Sequence, residues 1–279
     1  MGPSDPDLVT ERALAVLRAA DRVLAPAMGV DSIGRAEAVV RSAAPDVGVD
    51  RLVIDIGAGD GARAASLDRA ATTLVGHLDR GDLVAVALLG DPNVWSVFSR
   101  LARAVAARRP GVAVDTVPGI MAFQELAARS GTVVADGDEE LTVLTLGDDV
   151  ERLDPLLAEA GRSLVVYKGG RHLPAVASAL DRHGRLGGAV VGEMLGLPGG
   201  RTALVADAAA RPASYLATVI APPRRPAVLE QRRRHQRRRP HHDVGRGQPV
   251  DGPERHQVGR PGPRPHERDH DPPPSEPTW

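Results

Sequence analysis

Residues 83–99, LVAVALLGDPNVWSVFS, constrain the fold of this chain more than any other stretch. Residues 83–89 are all apolar and do not alternate with polar ones, a pattern typical of a strand covered on both faces of a parallel sheet. Gly90 lets the backbone approach a ligand closely, and Pro92 suits a first helical turn, where an N–H has no intrahelical partner. The stretch predicts a strand, a glycine turn and a helix directly after it, although an ordinary strand-to-helix turn would share these features.

A second turn of the same kind follows along the chain. Residues 112–117, VAVDTV, predict the next strand, and residues 118–123, PGIMAF, open a predicted helix that runs to residue 131. In open α/β sheets ligands bind at the carboxyl ends of the strands. We therefore expect both turns to lie at one edge of the same sheet and to line one site.

The remaining elements predict an α/β chain with two domains. Residues 22–26 predict a strand, and residues 7–20, 32–43 and 62–78 predict helices, the second of them capped by Ser32. Without long helices between most of them, further strands suit a mixed or antiparallel second sheet. These strands are predicted at residues 141–146, 163–167, 190–193, 201–206 and 215–221. We place the first domain at residues 1–115 and the second, smaller one at 116–222.

Residues 223–279 differ in composition from the rest of the chain. They are rich in Arg, Pro, Gly and His and contain few apolar residues. Such a segment cannot bury enough surface to offset its ordering entropy, so we predict an Arg/Pro/His-rich disordered tail. It lacks interleaved aromatic residues, so we do not expect it to bind nucleic acid, and its histidines do not predict a preformed metal site.

Composition excludes several classes of protein and site. The chain of 279 residues is 42% apolar and has no cysteine, which excludes disulfides, thiolate metal sites and cysteine nucleophiles. No run approaches the length of a membrane helix, and no basic-then-apolar leader precedes the first helix. We therefore expect a cytoplasmic protein without a membrane partner.

With these motifs in view, the chain resembles the tetrapyrrole methylases, S-adenosylmethionine-dependent enzymes that methylate corrin and sirohaem precursors. GDPNVWS followed by VPGIMAF is similar to the paired glycine loops of that family. GGRHLP and GEMLGLPG are most similar to its precorrin-2 C20-methyltransferase branch. The resemblance covers residues 2–222, and its other motifs follow in the expected order: MGPSDPDLVTERAL, VVYKGGRHLPAV, VVGEMLGLPG and SYLATVIAPP.

The resemblance implies two α/β domains with S-adenosylmethionine in the cleft between them, a homodimer, and methylation of precorrin-2 or cobalt-precorrin-2 at C20. Arg171 and His172 are expected to bind the carboxylates of the tetrapyrrole. Asp5, Asp91 and Glu193 are carboxylates in matched loops, but none is singled out as a catalytic base. The implied cofactor contacts are Pro3, Leu89, Gly90, Asp91, Val94, Met121, Ala122, Tyr167 and Leu195.

Asp91 has two possible roles at this stage, as a helix cap or as a hydrogen-bond partner of the cofactor's amino group. Val94, Met121 and Leu195 could instead be core residues. Residues 1–6 are similar to the family's first loop, with Ser4 where glycine is usual and no strand before them. We expect a truncated or wrongly chosen start and a poorly anchored first loop, and a non-catalytic remnant of the scaffold stays an alternative.

A competing motif lies at residues 52–61, LVIDIGAGDG. Its strand, acidic residue and spaced glycines resemble the cofactor motif of Rossmann-like (class I) methyltransferases, with residues 55–61 at the centre. That interpretation requires a single seven-stranded sheet and leaves both glycine turns after residue 89 without a role. It also lacks an acidic residue about 20 residues further on at the end of a clean strand. We prefer the two-domain fold, in which residues 56–61 form a turn before a helix. Methylation at another corrin position is the other alternative.

Overall fold

The computed structural model of the chain describes residues 2–55 and 59–225, without the side chain of Asp60. A short 3₁₀ turn, Pro6–Leu8, precedes the first α-helix. The strands are β1 (Arg22–Ala27), β2 (Asp50–Val53), β3 (Val84–Val86), β4 (Glu140–Thr145), β5 (Arg162–Tyr167), β6 (Val190–Glu193), β7 (Arg201–Leu204) and β8 (Thr218–Ala221). The helices are α1 (Glu11–Ala19), α2 (Arg35–Ala43), α3 (Asp60–Asp79), α4 (Phe98–Arg108), α5 (Ala122–Ser130), α6 (Leu153–Ala158), α7 (Leu173–Arg182) and α8 (Val205–Ala208).

The strands of the described ranges form two sheets. The first is parallel, with the order β2-β1-β3. The second is mixed, with the order β4-β5-β8-β6-β7: β4 and β5 are parallel, whereas β8 is antiparallel to β5 and β6. This confirms the predicted α/β fold with a parallel first sheet and a mixed second sheet. The described part of the chain does not form the single seven-stranded sheet that the Rossmann-like interpretation requires.

Both faces of the first sheet are covered, as its apolar runs predicted. Ala85 and Ala87 pack on one face with Val39 and Val40 of the α2 side. Val84 and Val86 face the other way, against the cluster that contains Leu101 of α4. Since each face contacts a helical layer, an apolar residue is favourable at every position along β3. This explains the lack of alternation in the sequence.

The second sheet is also buried between helices. Leu164 and Val166 of β5 pack with Leu180 of α7, whereas Val165 and Ile220 pack on the opposite face with Leu126 of α5. Helix α5 thus connects the glycine turn at residues 118–119 with the core of the second sheet. All described residues belong to one compact unit, and the division into domains at residue 115 stays a prediction.

The strand predicted at residues 112–117 is wrong. No described strand pairs with this segment, and Val114 is 48% exposed. β3 pairs with β1 on one side, and beyond β3 the N–H of Gly90 donates to the carbonyl oxygen of Gly2. A β-strand needs a hydrogen-bonded neighbour, so local propensity alone did not produce one here.

The helix predicted directly after Pro92 begins later, at Phe98. Trp95 has a left-handed φ of 46°, which cannot continue a right-handed helix. The Ser96 hydroxyl donates to the carbonyl of Pro92 and accepts from the N–H of Phe98 at 3.0 Å. Local side-chain bonds of this kind compete with helix formation, so residues 92–97 form turns instead.

Other boundaries also differ from the sequence prediction. The N-cap residue of α2 is Gly34, not Ser32, whose hydroxyl donates to the carbonyl of Gly29 instead. A side chain does not fit at Gly34, since an added Cβ would lie 2.2 Å from the carbonyl oxygen of Pro26. The predicted helix at residues 7–20 is interrupted before α1, where the Thr10 side chain accepts from the N–H of Ala13 at 3.2 Å. The predicted strand 201–206 ends at Leu204 and continues as α8, and the strand predicted from residue 215 begins at Thr218.

Two predicted features fall partly outside the described residues. Residues 56–58 of the competing glycine motif lie outside the described ranges. The predicted disordered tail lies outside them from residue 226 onward. Within residues 2–55 and 59–225, none of the helices combines the length and apolar character needed to cross a membrane.

Candidate functional site

The turn after β3 is joined to the turn before α5 by one carboxylate. Gly90 has a left-handed φ of 66°, and an added Cβ there would lie 4.0 Å from the carbonyl oxygen of Ile120. Oδ1 of Asp91 accepts from the N–H of Asn93 at 2.9 Å, and Oδ2 accepts from the N–H of Gly119 at 3.2 Å. Charge-assisted bonds of this kind are stronger than neutral ones, so Asp91 holds the two glycine turns together.

Asp91 therefore does not cap α4, which begins seven residues later at Phe98. Of its two expected roles, the helix cap is wrong. Its two oxygens contact backbone amides of both turns. A hydrogen bond to the cofactor would have to share an oxygen that already accepts one.

Tyr167, at the end of β5, connects the second sheet to the same place. Its hydroxyl accepts from the N–H of Phe123 at 3.0 Å, and its ring lies 5.5 Å from that of Trp95, tilted by 55°. Burial raises the pKa of Tyr167 to about 12, so the hydroxyl stays protonated at neutral pH. A single side chain thus contacts the start of α5 and the loop after β3.

The first loop packs into this region as well. The N–H of Gly90 donates to the carbonyl oxygen of Gly2 at 3.4 Å. A Cβ added to Gly196, in the loop after β6, would lie 2.4 Å from the backbone N of Asp5, so the two loops are in close backbone contact. The expectation of a poorly anchored first loop is wrong, because these long-range contacts at Gly90 and Gly196 anchor it.

The predicted cofactor residues lie on segments that these contacts join, and their roles stay a prediction. Leu195 is buried with Leu126 in the core, whereas Val94 is exposed. The predicted cofactor residues lie on five segments: the first loop (Pro3), the turn after β3 (Leu89, Gly90, Asp91 and Val94), the start of α5 (Met121 and Ala122), the end of β5 (Tyr167) and the loop after β6 (Leu195).

The predicted substrate residues form a small charged group after β5. Arg171 and His172 lie in the 3₁₀ turn Gly170–His172. Asp148, which follows the neighbouring parallel strand β4, lies 2.9 Å from the Arg171 guanidinium and 3.2 Å from Nε2 of His172. Arg171 is 56% exposed, so it can still reach an external carboxylate. Across the described ranges, no group of three His, Asp or Glu side chains could hold a metal ion.

Strained backbone marks three residues that the sequence analysis missed. Trp95, Lys168 and Met194 have φ angles of 46°, 58° and 49° although none is glycine. They lie in the loops that follow β3, β5 and β6, which are the loops of the candidate site. Strain of this kind is concentrated at functional sites in proteins. Lys168 is the chain's sole lysine, and this was the one feature of the sequence that could have singled out any of the three residues.

Exposed apolar side chains lie beside the site. Met28, Val30 and Ile33 are each at least 60% exposed in the loop after β1, and Trp95 is 46% exposed after β3. β1 and β3 are parallel neighbours, so both loops leave the same edge of the sheet. Exposed apolar groups of this kind are typical of surfaces that bind a ligand or a partner.

Comparison with known proteins identifies what the chain is similar to. The family model described as Tetrapyrrole (Corrin/Porphyrin) Methylases matches residues 1–209. A relative from Sinorhizobium sp, named precorrin-2 C(20)-methyltransferase, is 32% identical over 236 residues, which cover 79% of this chain and 92% of the relative.

Solved structures support the fold. The X-ray structure of a cobalamin biosynthetic enzyme, cobalt precorrin-4 methyltransferase, has a TM-score of 0.59 at 20% identity, covering 79% of this chain and 91% of the other. Uroporphyrin-III C-methyl transferase from Thermus thermophilus, complexed with S-adenyl homocysteine, has a TM-score of 0.51 at 21% identity, covering 79% and 94%.

Proposed function

Because the chain belongs to the tetrapyrrole (corrin/porphyrin) methylase family, we propose that it transfers the methyl group of S-adenosylmethionine to C20 of precorrin-2 or cobalt-precorrin-2. The name and coverage of the Sinorhizobium relative support this substrate and position. The observation that carries the proposal is the joining of both glycine turns by Asp91 next to Tyr167.

The residues fit S-adenosylmethionine. The gap between Gly90 and Ile120, which a single Cβ would enter, lets a ligand approach the backbone closely. Leu89, Gly90, Asp91 and Val94 would contact it from one turn. Met121 and Ala122 would do so from the other, with Pro3, Tyr167 and Leu195 around them.

Methyl transfer needs orientation more than acid–base help. When bound, S-adenosylmethionine supplies an activated methyl group whose sulfonium leaves with the electron pair of the breaking C–S bond. Orientation of two reactants can lower a barrier by about 7–11 kcal/mol. The joined turns supply such rigidity, since Asp91 and Tyr167 hold the backbone by hydrogen bonds.

A tetrapyrrole combines an apolar ring with carboxylates at its rim. Met28, Val30 and Ile33 offer apolar contacts for the ring. Arg171 and His172 would bind carboxylates, for which a guanidinium fork is well suited. In the sequence Lys168 lies between Tyr167 and this charged group, and it adds a second cation to that of Arg171.

We extend the proposal to the protein's state in the cell, a cytoplasmic homodimer, and to domains at residues 1–115 and 116–222. The absence of a membrane-spanning helix among the described residues is compatible with this location. Sedimentation of the purified protein tests the dimer.

The decisive experiment is incubation with labelled S-adenosylmethionine and a panel of precorrins, with the methylated carbon located by NMR. Label at C20 of precorrin-2 supports the proposal. Label at another corrin carbon contradicts methylation at C20 and identifies the carbon that is methylated instead. Calorimetric titration of the folded protein with S-adenosylhomocysteine separates the enzyme from a non-catalytic remnant, for which we expect no detectable binding.

A further inference from the structure

We propose that Arg129 is a positioning residue that holds the first loop against α5 and thereby sets the affinity for the methyl donor. Nη2 of Arg129 lies 3.4 Å from Oδ2 of Asp5 in the first loop and 2.5 Å from Oε1 of Glu125 on its own helix. One guanidinium therefore bridges a loop residue and a helix residue that are far apart in sequence. The inference rests on the proposed function, because the first loop carries the expected cofactor contact Pro3.

Glu125 is the costly member of this bridge. Its side chain is 3% exposed, and its carboxylate is paired with the Arg129 guanidinium. Burial raises the pKa of Glu125, because an ionised carboxylate is poorly solvated there. A buried carboxylate held by one guanidinium is expensive, and an apolar residue of similar size would often be more stable. This cost favours a role in positioning over a role in stability.

Asp5 is oriented by a second bond. Its Oδ1 accepts from the N–H of Asp7 at 3.0 Å, which leaves Oδ2 directed at Arg129. Glu125 lies four residues before Arg129 on α5, so helix geometry holds it beside the guanidinium. With the contacts at Gly90 and Gly196, the bridge gives the first loop a third anchor. It ties the loop that contains Pro3 to the helix that begins at Ala122, directly after Met121.

The test compares Arg129→Met, Arg129→Lys and Asp5→Asn with the wild type. Hydrogen exchange of residues 2–9 is measured without ligand, and S-adenosylhomocysteine affinity is measured by calorimetry. We expect Arg129→Met to accelerate exchange in this segment and to weaken binding about tenfold, the equivalent of ~1.4 kcal/mol. Arg129→Lys should retain part of the exchange protection of residues 2–9 and part of the S-adenosylhomocysteine affinity, because lysine keeps the positive charge. Asp5→Asn keeps the bond to Asp7 and should resemble Arg129→Met, so the test does not depend on one variant folding.

Arg182→Met is the control, since Arg182 is also a helix arginine in an ion pair, with Asp154 at 2.9 Å, and it lies on α7 and not on α5. It should leave exchange of residues 2–9 and donor affinity unchanged. Unchanged exchange in Arg129→Met, or faster exchange with wild-type affinity, overturns the inference. Faster exchange in a protein whose wild type binds no S-adenosylhomocysteine supports the anchor and contradicts the proposed function.

Discussion

The turn after β2, which contains Gly59, and the turn after β3, which contains Gly90, look alike in sequence and differ in their surroundings. Gly59 follows β2 and caps α3 with a φ of −59°, and an added Cβ there meets no atom of the described residues within 4 Å. Gly90 follows β3 with a φ of 66° and faces the turn before α5. A glycine motif therefore predicts a turn, whereas a site also requires neighbours that converge on it.

Gly90→Val gives the largest expected difference between the two turns. A side chain there would enter the space next to Ile120, and a β-branched residue is strained at a left-handed φ by about 1–2 kcal/mol. We expect S-adenosylhomocysteine affinity to fall at least about a hundredfold, ~2.8 kcal/mol, while Gly59→Val keeps nearly normal affinity.

Calorimetry beside the melting temperatures of both variants measures this. Loss of binding in Gly59→Val with retention in Gly90→Val would overturn the site and favour the Rossmann-like interpretation.

Asp91→Ala tests the acidic residue of the turn after β3, for comparison with Asp55 in the turn after β2. The change leaves the N–H groups of Asn93 and Gly119 without their acceptor, and bonds to a charged group contribute roughly 1.5–3 kcal/mol. We expect about that loss in the free energy of unfolding and about a tenfold loss in donor affinity, ~1.4 kcal/mol. Urea denaturation and calorimetry measure the two quantities. Asp55→Ala, in the other turn, is the comparison variant, and an equal loss of affinity there would contradict the assignment.

Tyr167→Phe should have a smaller effect. It removes the acceptor of the Phe123 N–H but keeps the ring contact with Trp95. A lost neutral hydrogen bond costs about 1 kcal/mol of unfolding free energy, and we expect only a few-fold change in donor affinity. Thermal denaturation and calorimetry give both values, with Tyr215→Phe as a control because Tyr215 is 54% exposed. A loss of affinity as large as that in Gly90→Val would show that Tyr167 contacts the donor directly.

Low pH should weaken an ion pair of β2, the strand that leads to Gly59, and this ion pair should have no influence on the affinity for the donor. Arg51 of β2 donates to the buried Glu37 at 2.7 Å, and this bond lowers the pKa of Glu37 below its ordinary 4.5. Since folding lowers this pKa, the stabilisation is complete above the ordinary pKa and is lost as pH falls through the folded value.

We expect the melting temperature of the wild type to fall more steeply below about pH 4.5 than that of Glu37→Gln. Both proteins should have the same donor affinity at neutral pH. Parallel pH profiles would contradict the proposed role of the ion pair.

Local patterns in the sequence were sufficient for the layered fold. The apolar run before Gly90 predicted a strand covered on both faces, and Ala85 and Val86 do pack on opposite faces. Residues 190–193 predicted β6 with its observed bounds, Val190–Glu193. Such patterns are reliable because side-chain periodicity follows from the backbone geometry of the element itself.

Tertiary structure decided the features that depend on distant partners. Residues 112–117 have strand propensity but pair with no strand of the described residues, and Trp95 interrupts the helix expected after Pro92. The pairing of Arg171 with Asp148 exists because β4 lies beside β5. None of these outcomes can be derived from a local window.

The sequence by itself thus determined the layered α/β fold with its parallel and mixed sheets, the family resemblance and the glycine turns at residues 90 and 118–119. The three-dimensional structure decided that the turn at Gly90 is joined to the turn before α5. The physical reason is that a strand or turn forms from contacts a few residues apart, whereas a site forms from long-range hydrogen bonds. The bonds from Gly119 to Asp91 and from Phe123 to Tyr167 span 28 and 44 residues, and only the folded chain brings their partners together.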